Sequence, residues 1–177
     1  MATLQTVSPD QATGEVAAVY DQINAAWGSV PNAIRLFSAN PFLLRNQWEY
    51  YGSIMQHPAL RPALTACIRM LVSQEGQCAY CIDLNAARLI NMMGWSADQV
   101  AQTRANYLNS PLAEKEKALL GLVLKAVKTP RSVSAADVEA VRASGWKDGD
   151  IFDAVYHGAR MVAGDILINA FQVERDF

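Results

Sequence analysis

Apolar residues recur at three- and four-residue steps along most of the chain, the spacing of one helix face. Val16, Val19, Tyr20, Ile23 and Trp27 form a first stripe, ended by Gly28. Leu44, Trp48, Tyr51 and Met55 form a second, and Leu60, Leu64, Cys67, Ile68 and Leu71 a third. A further helix is predicted from about Ala79 to Met93. Leu112, Leu119, Leu120, Val123, Leu124 and Val127 mark a strongly amphipathic helix. Val138 and Val141 lie on a shorter one. The last predicted helix, residues 148–173, is apolar nearly all round, which suits a central or subunit-interface position. Cap signals punctuate these stripes: Ser8-Pro9, Asn40-Pro41, Ser96-x-x-Gln99, Ser110-Pro111 and Ser134-x-x-Asp137. No strand alternation, linker or low-complexity tract interrupts them. The expectation is an all-α fold, a single-domain bundle of eight or nine helices over residues 1–177.

One stretch departs from scaffold: Glu75-Gly76-Gln77-Cys78-Ala79-Tyr80-Cys81-Ile82-Asp83-Leu84-Asn85. Gly76 is read as the stop of one helix, in the left-handed conformation glycine tolerates. Cys78 then falls at the N-terminus of the next helix and Cys81 in its first turn. Unpaired N–H groups there favour a thiolate. Positions i and i+3 share a face, so the two sulfurs can reach bonding distance. Asn85 faces the same way, and Glu75 is a nearby candidate proton acceptor. His157, four residues after Asp153, is a more distant one. It substitutes for a base only if the last helix packs on the cysteine helix, and an interface or polar-face histidine is its plainer reading.

Charge and length narrow the chemistry. The chain has 177 residues, 51% of them hydrophobic, and a net charge of −2. That suits one well-filled core and gives no basic patch for nucleic acid. No apolar run approaches the roughly 20 residues of a membrane helix, and the N-terminus lacks a signal-peptide pattern. A soluble cytoplasmic protein is expected, where a close cysteine pair is redox-active or metal-binding sooner than a structural staple. Cys67 and two scattered histidines offer no second ligand pair, so neither metal nor cofactor is expected.

The Cys-x-Tyr-Cys pair between two helices resembles the alkylhydroperoxidase D-like proteins of the carboxymuconolactone decarboxylase superfamily. Gly28-Ser29-Val30-Pro31-Asn32 resembles the Gly-x-Val-Pro-Asn segment of their peroxidase-related branch. Residues 111–120, 133–141 and 145–154 resemble its C-terminal half. The resemblance implies an alkylhydroperoxidase D-like bundle that forms a homo-oligomer. It implies a thiol-dependent antioxidant oxidoreductase, with a hydroperoxide or disulfide as substrate and an external dithiol as reductant. The family's middle histidine maps onto Tyr80, its last histidine onto Asn85, and its relay glutamate onto Ala66. The sulfurs are therefore retained and the proton relay replaced. The helix-terminus argument makes Cys78 the attacking sulfur, whereas the resemblance favours Cys81 with Cys78 as its disulfide partner. The alternative function is a relay-deficient, non-catalytic ligand-binding or assembly protein.

Overall fold

Helix-forming stripes separated by glycine and proline leave the chain little but helices to build. A computed structural model describes residues 3–177. Among these, the chain forms nine α-helices and four short 3-10 turns, with no strand. Backbone contacts divide it into two compact units, Met1–His57 with Leu167–Phe177, and Pro58–Ile166.

In the first unit, helix α1 (Gly14–Trp27) ends at Gly28, whose φ of 78° is the left-handed stop expected there. Helix α2 (Asn32–Arg35) is a single turn that runs into a 3-10 turn. Helix α3 (Pro41–Met55) starts as predicted, Asn40 accepting a hydrogen bond from the Leu43 N–H. Val16, Val19, Tyr20, Ile23, Ile34 and Leu44 form its core, with Trp27, Trp48 and Tyr51 packed against them. Trp48 and Tyr51 meet Trp27 edge-on. Met55, expected in this core, is exposed instead.

The second unit holds the cysteines. Helix α4 (Pro62–Glu75) is buried along most of its length, because α5 (Ala79–Met93) and α7 (Glu114–Lys128) both pack on it. Between α5 and α7 lies α6 (Ala97–Ala105), opened by a complete Ser96–Gln99 capping box. Helix α8 (Ala135–Ala143) is opened by the matching Ser134–Asp137 box. The last helix, α9, spans Asp148–Ala170 and runs from this unit into the other. It crosses α7 closely at Gly158, where an added Cβ would lie 2.7 Å from a Val123 methyl.

Two predicted helix starts move. Ser8-Pro9 opens only a 3-10 turn, and α1 begins at Gly14. Helix α7 begins at Glu114 rather than Pro111, because Glu116 reaches back to the Ala113 N–H at 3.0 Å and fixes the first turn there. The Glu116 carboxylate is only 1% exposed. Arg61 satisfies it with a two-pronged contact, Nε to Oε1 at 2.8 Å and Nη2 to Oε2. Burial opposes the charge, but these donors hold the Glu116 carboxyl below its ordinary pKa.

Candidate dithiol site at the α4–α5 corner

The corner joining α4 to α5 is a Schellman motif, in which the chain closes a helix with a six-residue hydrogen-bonded loop. The Cys78 N–H donates to the Ser73 carbonyl at 3.0 Å, and the Gln77 N–H donates to the Gln74 carbonyl at 3.3 Å. The left-handed residue is Gln77, at φ 51°. Gly76, read from sequence as that residue, is helical at φ −78°. Its lack of a side chain serves another end. A Cβ on Gly76 would sit 2.9 Å from Asp165 Oδ2 and 3.2 Å from Asp165 Cβ. Glycine is there so that Asp165, on α9, can come close.

Cys78 is thus the last residue of the corner and the N-cap of α5. Cys81 follows in the first turn. The two cysteines approach to 3.0 Å and are unbridged. Their sulfurs and an Asp165 carboxylate oxygen all lie within 4.8 Å of one another. All three residues are buried: Cys78 is 0% exposed, Cys81 3% and Asp165 2%. Three donors at this spacing fall short of the four ligands of a closed structural zinc site.

The electrostatics of the cysteines are unequal. A hydrogen bond between the two cysteine side chains holds Cys78 below the ordinary thiol pKa. Burial and Asp165 oppose it, while the Cys81 N–H adds a smaller favourable effect. Cys78 makes no fully formed cap hydrogen bond, so the helix terminus assists the sulfur as a dipole. The same thiol–thiol bond pushes Cys81 well above the ordinary value, reinforced by burial and by Cys78 and Asp165. The pair therefore carries one negative charge sooner on Cys78 than on Cys81.

Asp165 is held by the Ser73 hydroxyl, which donates to Oδ1 at 2.8 Å. Its other oxygen, Oδ2, is buried with no N–H or O–H donor in reach among the described residues. Burial raises its pKa, offset by hydrogen bonding from Ser73 and from the thiols of Cys81 and Cys78. Asp165 was not among the residues that the sequence singled out. Its signal was an acid in the otherwise uncharged run Met161–Ala170 of a helix read as apolar all round.

The other sequence-predicted residues are placed as follows. Tyr80 is buried in the first turn of α5. Asn85 is buried and donates from Nδ2 to the Cys81 carbonyl at 2.7 Å, while its Oδ1 has no partner among the described residues. Glu75 is on the surface, paired with Lys128 at 2.9 Å. His157 is buried on α9, eight residues before Asp165, or about 12 Å along the helix axis at 1.5 Å per residue. Burial, with Arg69 and Arg160 adding to it, pushes its pKa down to about 3, so the imidazole is neutral near pH 7. Cys67 is a buried thiol that burial, with help from Glu116, pushes up to about 12. That is the inert small hydrophobe the sequence suggested.

No protein-family model matches the chain, and no curated protein matches it by sequence. Solved structures do match by fold. A peroxidase-related protein from Ralstonia eutropha JMP134, described as an alkylhydroperoxidase AhpD core, superposes with a TM-score of 0.86 at 22% identity. That likeness covers 99% of this chain and 92% of the other. A peroxidase-related protein from Silicibacter sp. TM1040 gives a TM-score of 0.86 at 20% identity, over the same shares of the two chains. The debrominase Bmp8, solved in complex with 2,3,4-tribromopyrrole, gives 0.74 at 14% identity, over 99% of this chain and 94% of the other. The chain has the all-α, alkylhydroperoxidase D-like fold that its sequence resembles.

Proposed function

We propose that this protein is a thiol-dependent oxidoreductase that passes electrons from an external dithiol to a hydroperoxide through Cys78 and Cys81. The observation that carries the reading is the closeness of the two cysteines, 3.0 Å apart at the start of α5. The fold likeness to peroxidase-related proteins supports it.

The Cys78 thiolate attacks one peroxide oxygen. An S–O bond forms, the O–O bond breaks, and the alcohol leaves with a proton, giving a sulfenic acid. The Cys81 sulfur then attacks Cys78, an S–S bond forms, and hydroxide leaves as water. An external dithiol restores the pair by two exchange steps. Attack is assigned to Cys78 because its thiolate is the better stabilised. The family resemblance implies the reverse order. Burial of both sulfurs favours a small oxidant over the disulfide of a folded protein.

Reduced protein is mixed with tert-butyl hydroperoxide, and peroxide loss and intact mass are followed together. A Cys78–Cys81 disulfide, formed as peroxide disappears, is expected. Cys81→Ser leaves a trappable sulfenic acid on Cys78. Absence of both disulfide and peroxide loss overturns the reading. It would favour the binding or assembly protein, which the burial of both sulfurs and the loss of the relay residues at Ala66 and Asn85 also suit.

A further inference from the structure

Dithiol chemistry at this site has a gap that the cysteines do not fill. When Cys81 closes the disulfide, its proton must leave, and hydroxide must leave Cys78 as water. The Cys81 thiol gives up its proton less readily than a free cysteine. Two positions that the family resemblance assigns to proton transfer hold no ionisable group, and the nearby acid that the sequence offered as a proton acceptor is engaged elsewhere. Ala66 has no ionisable group, Asn85 is tied to the Cys81 backbone carbonyl, and Glu75 is on the surface with Lys128.

We infer that Asp165 is the proton carrier of the dithiol, taking the Cys81 proton as the disulfide closes and delivering it to the departing oxygen. The inference rests on the functional reading above and supplies its missing group. Three observations support it. The carboxylate and the two sulfurs lie within 4.8 Å of one another. One carboxylate oxygen is fixed by Ser73, and the other is buried without an N–H or O–H donor among the described residues. The chain keeps glycine at position 76, where any side chain would displace that second oxygen. The groups that act on Asp165 are Ser73 from α4 and Cys78 and Cys81 from the start of α5. No cation is among them, so among the described residues the acid is not held as half of an ion pair. Burial raises its proton affinity, which brings a carboxylate nearer to the range of an effective general base.

The proton count closes. The alkoxide released in the first step takes its proton from solvent. Asp165, as a carboxylate, accepts the Cys81 proton and passes it to the hydroxide leaving Cys78, so that water leaves. Asp165 ends as the carboxylate it began as. The external dithiol then returns the pair to one thiolate and one thiol and releases one proton to solvent.

The test is rapid mixing of reduced wild type and Asp165→Asn with tert-butyl hydroperoxide from pH 5.5 to 9. Dimedone traps sulfenic acid, and mass spectrometry counts disulfide. Asparagine keeps the acceptor for Ser73 but removes the titrating oxygen. In Asp165→Asn, sulfenic acid on Cys78 accumulates and disulfide closure at pH 7 slows about 100-fold. Closure then rises steadily with pH as hydroxide takes over, and Asp165→Glu recovers part of the rate. If Asp165→Asn does not fold, Ser73→Ala replaces it and is expected to slow closure about tenfold, a partial share of the acid–base contribution. Closure as fast as wild type at every pH, in whichever variant folds, overturns the inference while leaving the functional reading standing. Wild type that forms no disulfide overturns both.

Discussion

Two carboxylates are buried to nearly the same degree in the same unit, and the fold treats them in opposite ways. Glu116 has every strong donor it needs: both prongs of Arg61 and the Ala113 N–H. Asp165 has a single hydroxyl on one oxygen, and its carboxylate lies within 4.8 Å of two sulfurs. The first carboxyl is held below its ordinary pKa and the second above it. A buried acid that is fully paired fixes a helix start. A buried acid left half-paired beside two sulfurs costs stability and gains reactivity.

Stability measurements can break this comparison. Glu116→Gln should cost about 2 kcal/mol at pH 7, through weaker bonds to Arg61 and the Ala113 N–H. Asp165→Asn should be neutral within about 0.5 kcal/mol or stabilising, because it removes a charge that the interior disfavours. Their pH dependences run in opposite senses. The Glu116 contribution is present above the ordinary glutamate value of 4.5 and is lost as pH falls through its depressed folded pKa. The Asp165 contribution is full below the ordinary value of 3.8 and declines as pH rises through its raised folded pKa. Urea midpoints from pH 3 to 8 check both. A large loss in Asp165→Asn at pH 7 would make the two acids alike and end the contrast.

Gly76→Ala sharpens it. The backbone there accepts alanine, so any cost comes from pushing Asp165 off its seat. Overpacking of this kind costs about 1–2 kcal/mol, and it should slow disulfide closure along with the loss of stability. A variant with normal closure would show that the tight approach is incidental. The smallest expected effect is at Glu75→Gln, where an exposed ion pair with Lys128 is worth under about 1 kcal/mol. Disulfide closure should be unchanged there; if it slows, Glu75 rather than Asp165 handles protons.

The sequence disclosed what local rules govern. Ser96–Gln99 and Ser134–Asp137 each form the capping box their spacing announces. Cys78 and Cys81 fall at the helix start that glycine punctuation predicted. What it concealed depends on partners far along the chain. Glu116 reads as an ordinary first-turn acid because Arg61 is 55 residues away. Asp165 reads as a stray polar residue because Ser73 is 92 residues away. Gly76 looks like a helix stop, since nothing nearby in the sequence records the side chain that needs its space.

Ser73 has two jobs at once. Its carbonyl receives the Cys78 N–H and its hydroxyl holds Asp165. Acid and sulfur are thus fastened to one residue, like two gauges bolted to a single plate. Thermal slippage of α9 or fraying of α5 would tug both through a common anchor, so their spacing is buffered against the jostling of the elements that carry them.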